Sequence, residues 1–175
     1  PEYGYYNLAV FYGACNLDCL FCQNWQYRKM TSRLGPLHSS EELANAINTK
    51  TSCVCYFGGD PGPQIAHAIH ASKLMLEKAK KIGMRIFRIC WETNGLLAPQ
   101  ILDTVIELSL TSGGNIKFDI KAWTPSVYKA LTGADNKYVF ENARRIAKRI
   151  HERKEPPLFT VSTLLVPGYV DEYEV

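Results

Sequence analysis

The sequence predicts an α/β fold in which parallel strands form part of a TIM-like barrel. Strand-like and helix-like segments alternate five times along the 175 residues. Connections of helix length between successive strands require parallel pairing, and helices cover such sheets. Polar residues and glycines follow nearly every predicted strand, and convergence of many strand ends is typical of a barrel rather than of a doubly wound sheet. Five units are too few to close a barrel.

The five strands are predicted from β-branched and aromatic runs that end at glycine or proline. The helices are predicted from apolar periodicity and from capping residues, such as Ser39 or Ser40 before the first helix and Gly83 after the second. We expect strands at residues 7–13, 52–59, 85–95, 115–123 and 158–168, and helices at 38–50, 63–83, 98–114, 124–133 and 137–157. Residues 27–38 are expected to form a loop that contacts substrate.

The last predicted helix has its apolar residues on one face. This stripe consists of Val139, Ala143, Ile146, Ala147 and Ile150. We expect the stripe to pack against the sheet, and the basic residues around it to form a solvated surface.

The bulk composition indicates one domain over residues 1–175, and the two ends of the sequence suggest a piece of a longer protein. With 46% hydrophobic residues the chain can bury a sizeable core, and a net charge of +3 is too small to indicate nucleic acid. No apolar run approaches the ~20 residues of a membrane span, and no signal peptide is visible. We therefore expect a cytoplasmic protein without a membrane partner.

Three of the six cysteines lie in the segment GACNLDCLFCQNWQ, as Cys15, Cys19 and Cys22. This crowding argues against a disulfide framework and favours a metal loop in a reducing compartment. A structural zinc site normally has four protein ligands, and the nearest imidazole is His38, sixteen residues beyond the last of these cysteines. A 4Fe–4S cluster held by three thiolates would instead leave one iron open to a substrate or cofactor. A zinc-stabilised binding domain, completed by His38 or by a partner, remains the alternative of another class.

Charged and thiol residues also share the inward faces of the predicted strands. Asp119 and Lys121 lie on one face, where they form either a mutual salt bridge or a ligand site. Arg88, Cys90 and Glu92 share another face, and an inward arginine needs an anion that the sequence does not identify. Cys53, Cys55 and Cys90 are expected to pack as small hydrophobic residues rather than to form a second metal site.

The C-x3-C-x2-C motif, with Phe21 before its last cysteine and directly after the first strand, resembles the signature of the radical S-adenosylmethionine superfamily. GGDP after the second strand resembles the family's Gly-Gly-Glu motif. ETNG, FDIK and LVPGY resemble later motifs of the branch that activates glycyl radical enzymes, typified by pyruvate formate-lyase activating enzyme.

The resemblance implies that Cys15, Cys19 and Cys22 bind a 4Fe–4S cluster whose fourth iron is chelated by S-adenosylmethionine. An electron from the cluster would cleave this cofactor to a 5′-deoxyadenosyl radical that takes a hydrogen atom from the substrate. It also implies an electron donor such as flavodoxin or ferredoxin, and a glycyl radical enzyme as the substrate. Another protein, a lipid or a small molecule is the alternative substrate within the same family.

The same resemblance implies a (β/α)6-type, TIM-like barrel, of which this chain lacks the last βα unit, and a cofactor pocket built from the strand ends. Phe21 would line the adenine pocket or anchor the loop in the core. Asp60 stands where the family usually has Glu, so either its shorter side chain or backbone carbonyls would contact the methionine ammonium. A monovalent cation would bind near Glu92, Thr93 and Asp119, beside the cofactor carboxylate and Lys121. The implied cofactor-binding residues are Phe21, Gly58, Gly59, Asp60, Glu92, Thr93, Asn94, Asp119 and Lys121.

Overall fold

Five parallel strands form one sheet in the computed structural model, which describes residues 2–33 and 35–175. The strands are β1 (Tyr6–Phe11), β2 (Thr51–Phe57), β3 (Arg88–Thr93), β4 (Ile116–Asp119) and β5 (Phe159–Ser162). Their spatial order is the order of the chain, β1-β2-β3-β4-β5, and every neighbouring pair is parallel. In a doubly wound sheet the spatial order of the strands would reverse at an internal strand. The predicted partial barrel is therefore confirmed.

Helices connect the strands, as the alternating pattern predicts. They are α1 (Tyr27–Arg33), α2 (Ser40–Asn45), α3 (Ile65–Lys81), α4 (Pro99–Ser112), α5 (Pro125–Thr132) and α6 (Lys137–Ala147). Ser39 is the N-cap of α2: its hydroxyl accepts the Glu42 N–H at 3.1 Å, and its own N–H donates to the Glu42 carboxylate at 2.9 Å. This capping box decides between the two serines that the sequence offered.

The prediction that residues 27–38 form a loop is wrong for residues 27–33, which form helix α1. Leu34 of that segment lies outside the described residues. The helix is short, and its sequence lacks a strong capping signal. Tyr27 at its start is buried, and the Tyr27 hydroxyl donates to the Leu17 carbonyl at 3.1 Å. The helix thus depends on a contact with the cysteine loop, which local sequence patterns do not reveal.

The two faces of the sheet differ sharply in character. On the face covered by helices, alternate residues of β2, β3 and β4 are almost completely buried and form the core: Val54, Tyr56, Ile89, Trp91, Ile116 and Phe118. The opposite face corresponds to the barrel interior and carries thiols and charged groups that are mostly half-buried: Cys53, Cys55, Cys90, Glu92, Lys117 and Asp119. The period of two along each strand separates structural residues from chemical ones.

The buried stripe of α6 differs in part from the predicted one. Val139 and Ile146 are buried, whereas Ala147 and Ile150 are exposed. Ile150 lies beyond the end of α6 at Ala147. The residue that the hydrophobic pattern missed is Asn142, which is 1% exposed. Its side-chain amide donates to the carbonyls of Gly95 and Leu97, both at 2.8 Å. Asn142 therefore fixes α6 against the loop that follows β3.

The inward arginine of β3 has its anion in this structure. Arg88 Nη1 donates to Glu2 Oε2 at 3.0 Å, so the first described residue of the chain supplies the partner that the sequence did not identify.

Within the described ranges, no helix combines the length and the apolar character that a membrane crossing needs.

Replacement of the buried amide tests the packing of α6. We expect Asn142→Ala to lower the free energy of unfolding by about 2–4 kcal/mol, because two buried carbonyls lose their donor. Arg144→Ala, at an exposed position on the same helix, is the control and should change the free energy of unfolding by about 0.5 kcal/mol or less. Urea denaturation followed by circular dichroism measures both variants. Equal stability of Asn142→Ala and the parent chain would contradict this role.

Candidate functional site

One cavity of about 500 Å³ lies at the carboxyl ends of the strands. It is bounded by the loop after β1 and by the ends of β2, β3, β4 and β5. All of the residues predicted to bind metal or cofactor line this cavity: Cys15, Cys19, Phe21, Cys22, Gly58, Gly59, Asp60, Glu92, Thr93, Asn94, Asp119 and Lys121. The structure thus brings together motifs that are more than one hundred residues apart in the chain.

The cysteine loop is held on the body of the protein by backbone hydrogen bonds. The Asp18 N–H donates to the Thr132 carbonyl at 2.9 Å, and the Leu20 N–H donates to the Leu131 carbonyl at 3.0 Å. Both acceptors belong to the last turn of α5, where helix carbonyls lack intrahelical partners. The loop conformation is therefore coupled to the end of α5.

The three thiols of this loop are free and at least half-buried. Burial raises the pKa of Cys15 to about 11, and burial likewise raises the pKa of Cys19. A buried thiolate needs a cationic partner, since desolvation favours the neutral thiol. The loop therefore presents three potential ligands, and a bound metal centre would supply the positive charge that buried thiolates need.

The donor set distinguishes between the two metal sites that the sequence left open. A single zinc ion requires its ligands to converge within about 2.3 Å of one point. Among the described residues, no three His, Cys, Asp or Glu side chains converge in this way. His38 is exposed and lies 3.6 Å from Glu42, away from the cavity. Thiolates of a 4Fe–4S cluster each bind a different iron, so three thiols that line one cavity suit that group.

Asp60 links the ends of three strands. Its backbone N–H donates to the Ala14 carbonyl at 2.8 Å in the cysteine loop. Its carboxylate accepts hydrogen bonds from the Thr93 hydroxyl at 3.0 Å, the Asn94 N–H at 2.8 Å and the Gly62 N–H at 2.7 Å. Burial raises the pKa of Asp60 to about 6, although these donors favour the ionised form. Its carboxylate oxygens thus have partners within the protein.

Asn94 extends this network to the cysteines. Its side-chain amide donates to Asn16 Oδ1 at 2.6 Å and lies 3.9 Å from Cys15 Sγ. Asn16 was not predicted as a site residue, although it stands next to the first cysteine. Asn94, the residue after β3, therefore contacts the cysteine loop through its side chain.

The paired glycines after β2 are required by backbone packing. Gly59 has a φ of +55°, and a Cβ there would lie 2.3 Å from the carbonyl oxygens of both Tyr12 and Ala14. Gly58, with a φ of +71°, would place a Cβ 2.2 Å from the Phe11 ring. In the structure these glycines make room for Phe11 and for the backbone of residues 12–14, and the close approach of a ligand stays a prediction.

Two lysine–carboxylate pairs lie on the cavity wall formed by β3 and β4. Lys117 Nζ donates to Glu92 Oε2 at 2.7 Å, and Lys121 pairs with Asp119. The latter is the mutual salt bridge that the sequence offered as one alternative. Lys121 Nζ also lies 5.7 Å from the centre of the Phe21 ring. Phe21 therefore contributes to the wall beside this charge.

Several cavity residues were not predicted from the sequence. The missed lining residues include Lys117, Gln23, Asn24, Ser162 and Thr163. Lys117 could have been found, because strand alternation places it on the face of Asp119. The others lie in loops or at a strand end, where no periodicity indicates their direction.

The remaining cysteines lie on the same interior face. Cys53 Sγ and Cys90 Sγ are 3.0 Å apart, and Cys55 Sγ lies 3.8 Å from Glu92 Oε1. Their expected role as packed, small hydrophobic residues stays a prediction.

Comparison with known proteins gives one family match. The model of the family described as the radical SAM superfamily matches residues 9–175. GTP 3′,8-cyclase of Chlorobaculum tepidum is 29% identical over 115 residues, which is 66% of this chain and 32% of that protein. The chain thus spans about a third of the length of this relative.

Solved structures share the fold at low sequence identity. Streptococcus suis SuiB bound to S-adenosylmethionine aligns with a TM-score of 0.52 at 14% identity, over 94% of this chain and 42% of SuiB. SuiB bound to precursor peptide SuiA aligns with a TM-score of 0.54 at 14% identity, over 90% of this chain and 39% of SuiB.

The family match agrees with the cavity that combines three free thiols with polar strand ends. The similarity to the glycyl-radical-activating branch stays a prediction, because the relatives above are other radical SAM enzymes. The chain belongs to the radical SAM superfamily, whose members use a 4Fe–4S cluster and S-adenosylmethionine.

Proposed function

We propose that this chain is the cofactor-binding core of a radical SAM enzyme that takes a hydrogen atom from a polypeptide. The specific substrate favoured by ETNG, FDIK and LVPGY is a glycyl radical enzyme. The observation that carries the proposal is the cavity that joins the cysteine loop to residues of ETNG and FDIK at the ends of β3 and β4.

In this proposal Cys15, Cys19 and Cys22 bind three irons of the cluster. The bound and reduced cluster supplies the electron that cleaves S-adenosylmethionine to a 5′-deoxyadenosyl radical. Lys121, whose side chain is 13% exposed, faces the cavity as a cation and suits the cofactor carboxylate. The backbone carbonyls near Gly58 and Gly59 suit the methionine ammonium, since the Asp60 carboxylate has partners within the protein.

A polypeptide substrate agrees with the fold shared with SuiB, which has been crystallised with precursor peptide SuiA. The similarity to GTP 3′,8-cyclase favours a second candidate, a nucleotide substrate. A lipid has no observation in its favour. An electron donor such as flavodoxin or ferredoxin would reduce the cluster.

Cluster binding is tested by anaerobic reconstitution with iron and sulfide. We expect the parent chain to bind about four irons with equimolar acid-labile sulfide. Cys19→Ala should lose the cluster, whereas Cys55→Ala should retain it, because Cys55 lies on the interior face outside the cavity lining. Iron and sulfide analysis with electron paramagnetic resonance measures both. A tightly bound zinc without sulfide, or an intact cluster in Cys19→Ala, would contradict the assignment.

Replacement of Asp60 tests the link between the strand ends. Asp60→Asn keeps the size of the side chain but presents an NH2 group to donors, so we expect a loss of about 1.5–3 kcal/mol in the free energy of unfolding. S-adenosylmethionine affinity should fall at the same time, because Thr93 and Asn94 at the end of β3 lose the carboxylate that positions them. Calorimetry and thermal unfolding measure both effects. Glu172→Gln, at an exposed carboxylate, is the control and should change neither quantity.

The substrate is tested with the full-length enzyme under anaerobic, reducing conditions. We expect incubation with a glycyl radical enzyme of the same organism to produce a glycyl radical signal in electron paramagnetic resonance. Incubation with GTP should leave the nucleotide unchanged. Consumption of GTP, with no glycyl radical in the parallel sample, would favour the nucleotide candidate instead.

A further inference from the structure

The three residues expected to bind a monovalent cation do not fit that ion in this structure. The Thr93 hydroxyl donates to Asp60 Oδ2 at 3.0 Å. The Glu92 carboxylate accepts from Lys117 Nζ at 2.7 Å, and Asp119 pairs with Lys121. A hard cation needs several oxygen ligands at once, but each of these groups is already engaged with another side chain.

Lys117 is placed beside Glu92 by the pairing of the strands. Glu92 and Lys117 are register partners in the β3–β4 ladder, so their side chains leave the same face side by side. Both line the cavity, and their side chains are 42% and 37% exposed. The Lys117 ammonium therefore places a positive charge on the cavity wall beside Glu92, one of the residues expected to bind the cation.

An ammonium can replace a monovalent cation at such a position. It carries the same single charge and has three N–H donors, of which Glu92 accepts one. Glu92 is the hydrogen-bond partner of Lys117 Nζ among the described residues, so further donors are free for a bound carboxylate. Lys121, which suits the cofactor carboxylate directly, is less suited to replace the cation, because its side chain is only 13% exposed.

We infer that the Lys117 ammonium takes the place of a monovalent cation beside the cofactor carboxylate, so that this protein binds S-adenosylmethionine without Na⁺ or K⁺. Lys117 is a positioning residue in this arrangement: it neutralises Glu92 and offers N–H groups to the cofactor. The inference rests on the proposed function, since it assumes that the cavity holds S-adenosylmethionine.

The inference is tested with the reconstituted protein in choline chloride, to which NaCl or KCl is added at constant ionic strength. Calorimetry gives the dissociation constant of S-adenosylmethionine. We expect the parent protein to bind equally well in all three salts. Lys117→Met, which keeps the apolar stem, should bind at least about tenfold more weakly in choline chloride and recover when Na⁺ or K⁺ is added. Lys117→Arg should remain independent of the salt, because it keeps the charge.

A second readout does not depend on the cofactor. The ²³Na resonance should broaden with Lys117→Met in the absence of S-adenosylmethionine, because Glu92 then lacks its ammonium and accepts the ion. It should not broaden with the parent protein, nor with the double variant Lys117→Met and Glu92→Gln, which lacks the carboxylate as well. Lys129→Met, at an exposed lysine on α5, is the matched control and should behave as the parent in both measurements.

The outcomes separate this inference from the proposed function. If Na⁺ or K⁺ tightens cofactor binding to the parent protein by about tenfold or more, an external cation is required and the inference fails, while the proposed function stands. If Lys117→Met binds the cofactor as the parent does in choline chloride, the lysine has no such role. If the parent binds no S-adenosylmethionine in any salt, the proposed function itself fails, and the inference fails with it.

Discussion

The candidate site depends on one buried carboxylate. Asp60 accepts hydrogen bonds from the residues that end β3, while its backbone N–H donates to the loop after β1. Ionised or neutral, a buried carboxyl group of this kind is stable only when its partners stay in place. The relative position of the cysteine loop and the β3 end is therefore set by Asp60, and the two glycines before it allow the close packing that this requires.

Charge is distributed over the site in a way that the barrel geometry permits. The helix-facing side of the sheet is apolar and closed, so ion pairs there would lose hydration without compensation. The interior face is half-open, and it carries the Glu92–Lys117 and Asp119–Lys121 pairs next to the cavity. A charged cofactor can thus meet lysines and carboxylates on the interior face, away from the apolar residues of the core.

The features that follow from local patterns were predictable from the sequence. Strand order, the cysteine loop and the residues at strand ends follow from alternation and from short motifs. The features that depend on distant contacts were not. Helix α1 depends on the buried Tyr27, Asn142 is a polar residue in an apolar stripe, and Arg88 finds its anion in Glu2. In each case the partner lies at least ten residues away, where periodicity carries no information.

The alternation along β3 and β4 also limits how the length of this chain can change. Trp91 lies in the core and Glu92, the next residue, lies in the cavity. A single-residue insertion or deletion within β3 would exchange the two faces, which places a carboxylate in the core and an indole in the site. Length variation among proteins of this fold is therefore expected in the loops and helices that connect the strands, and not within the strands themselves.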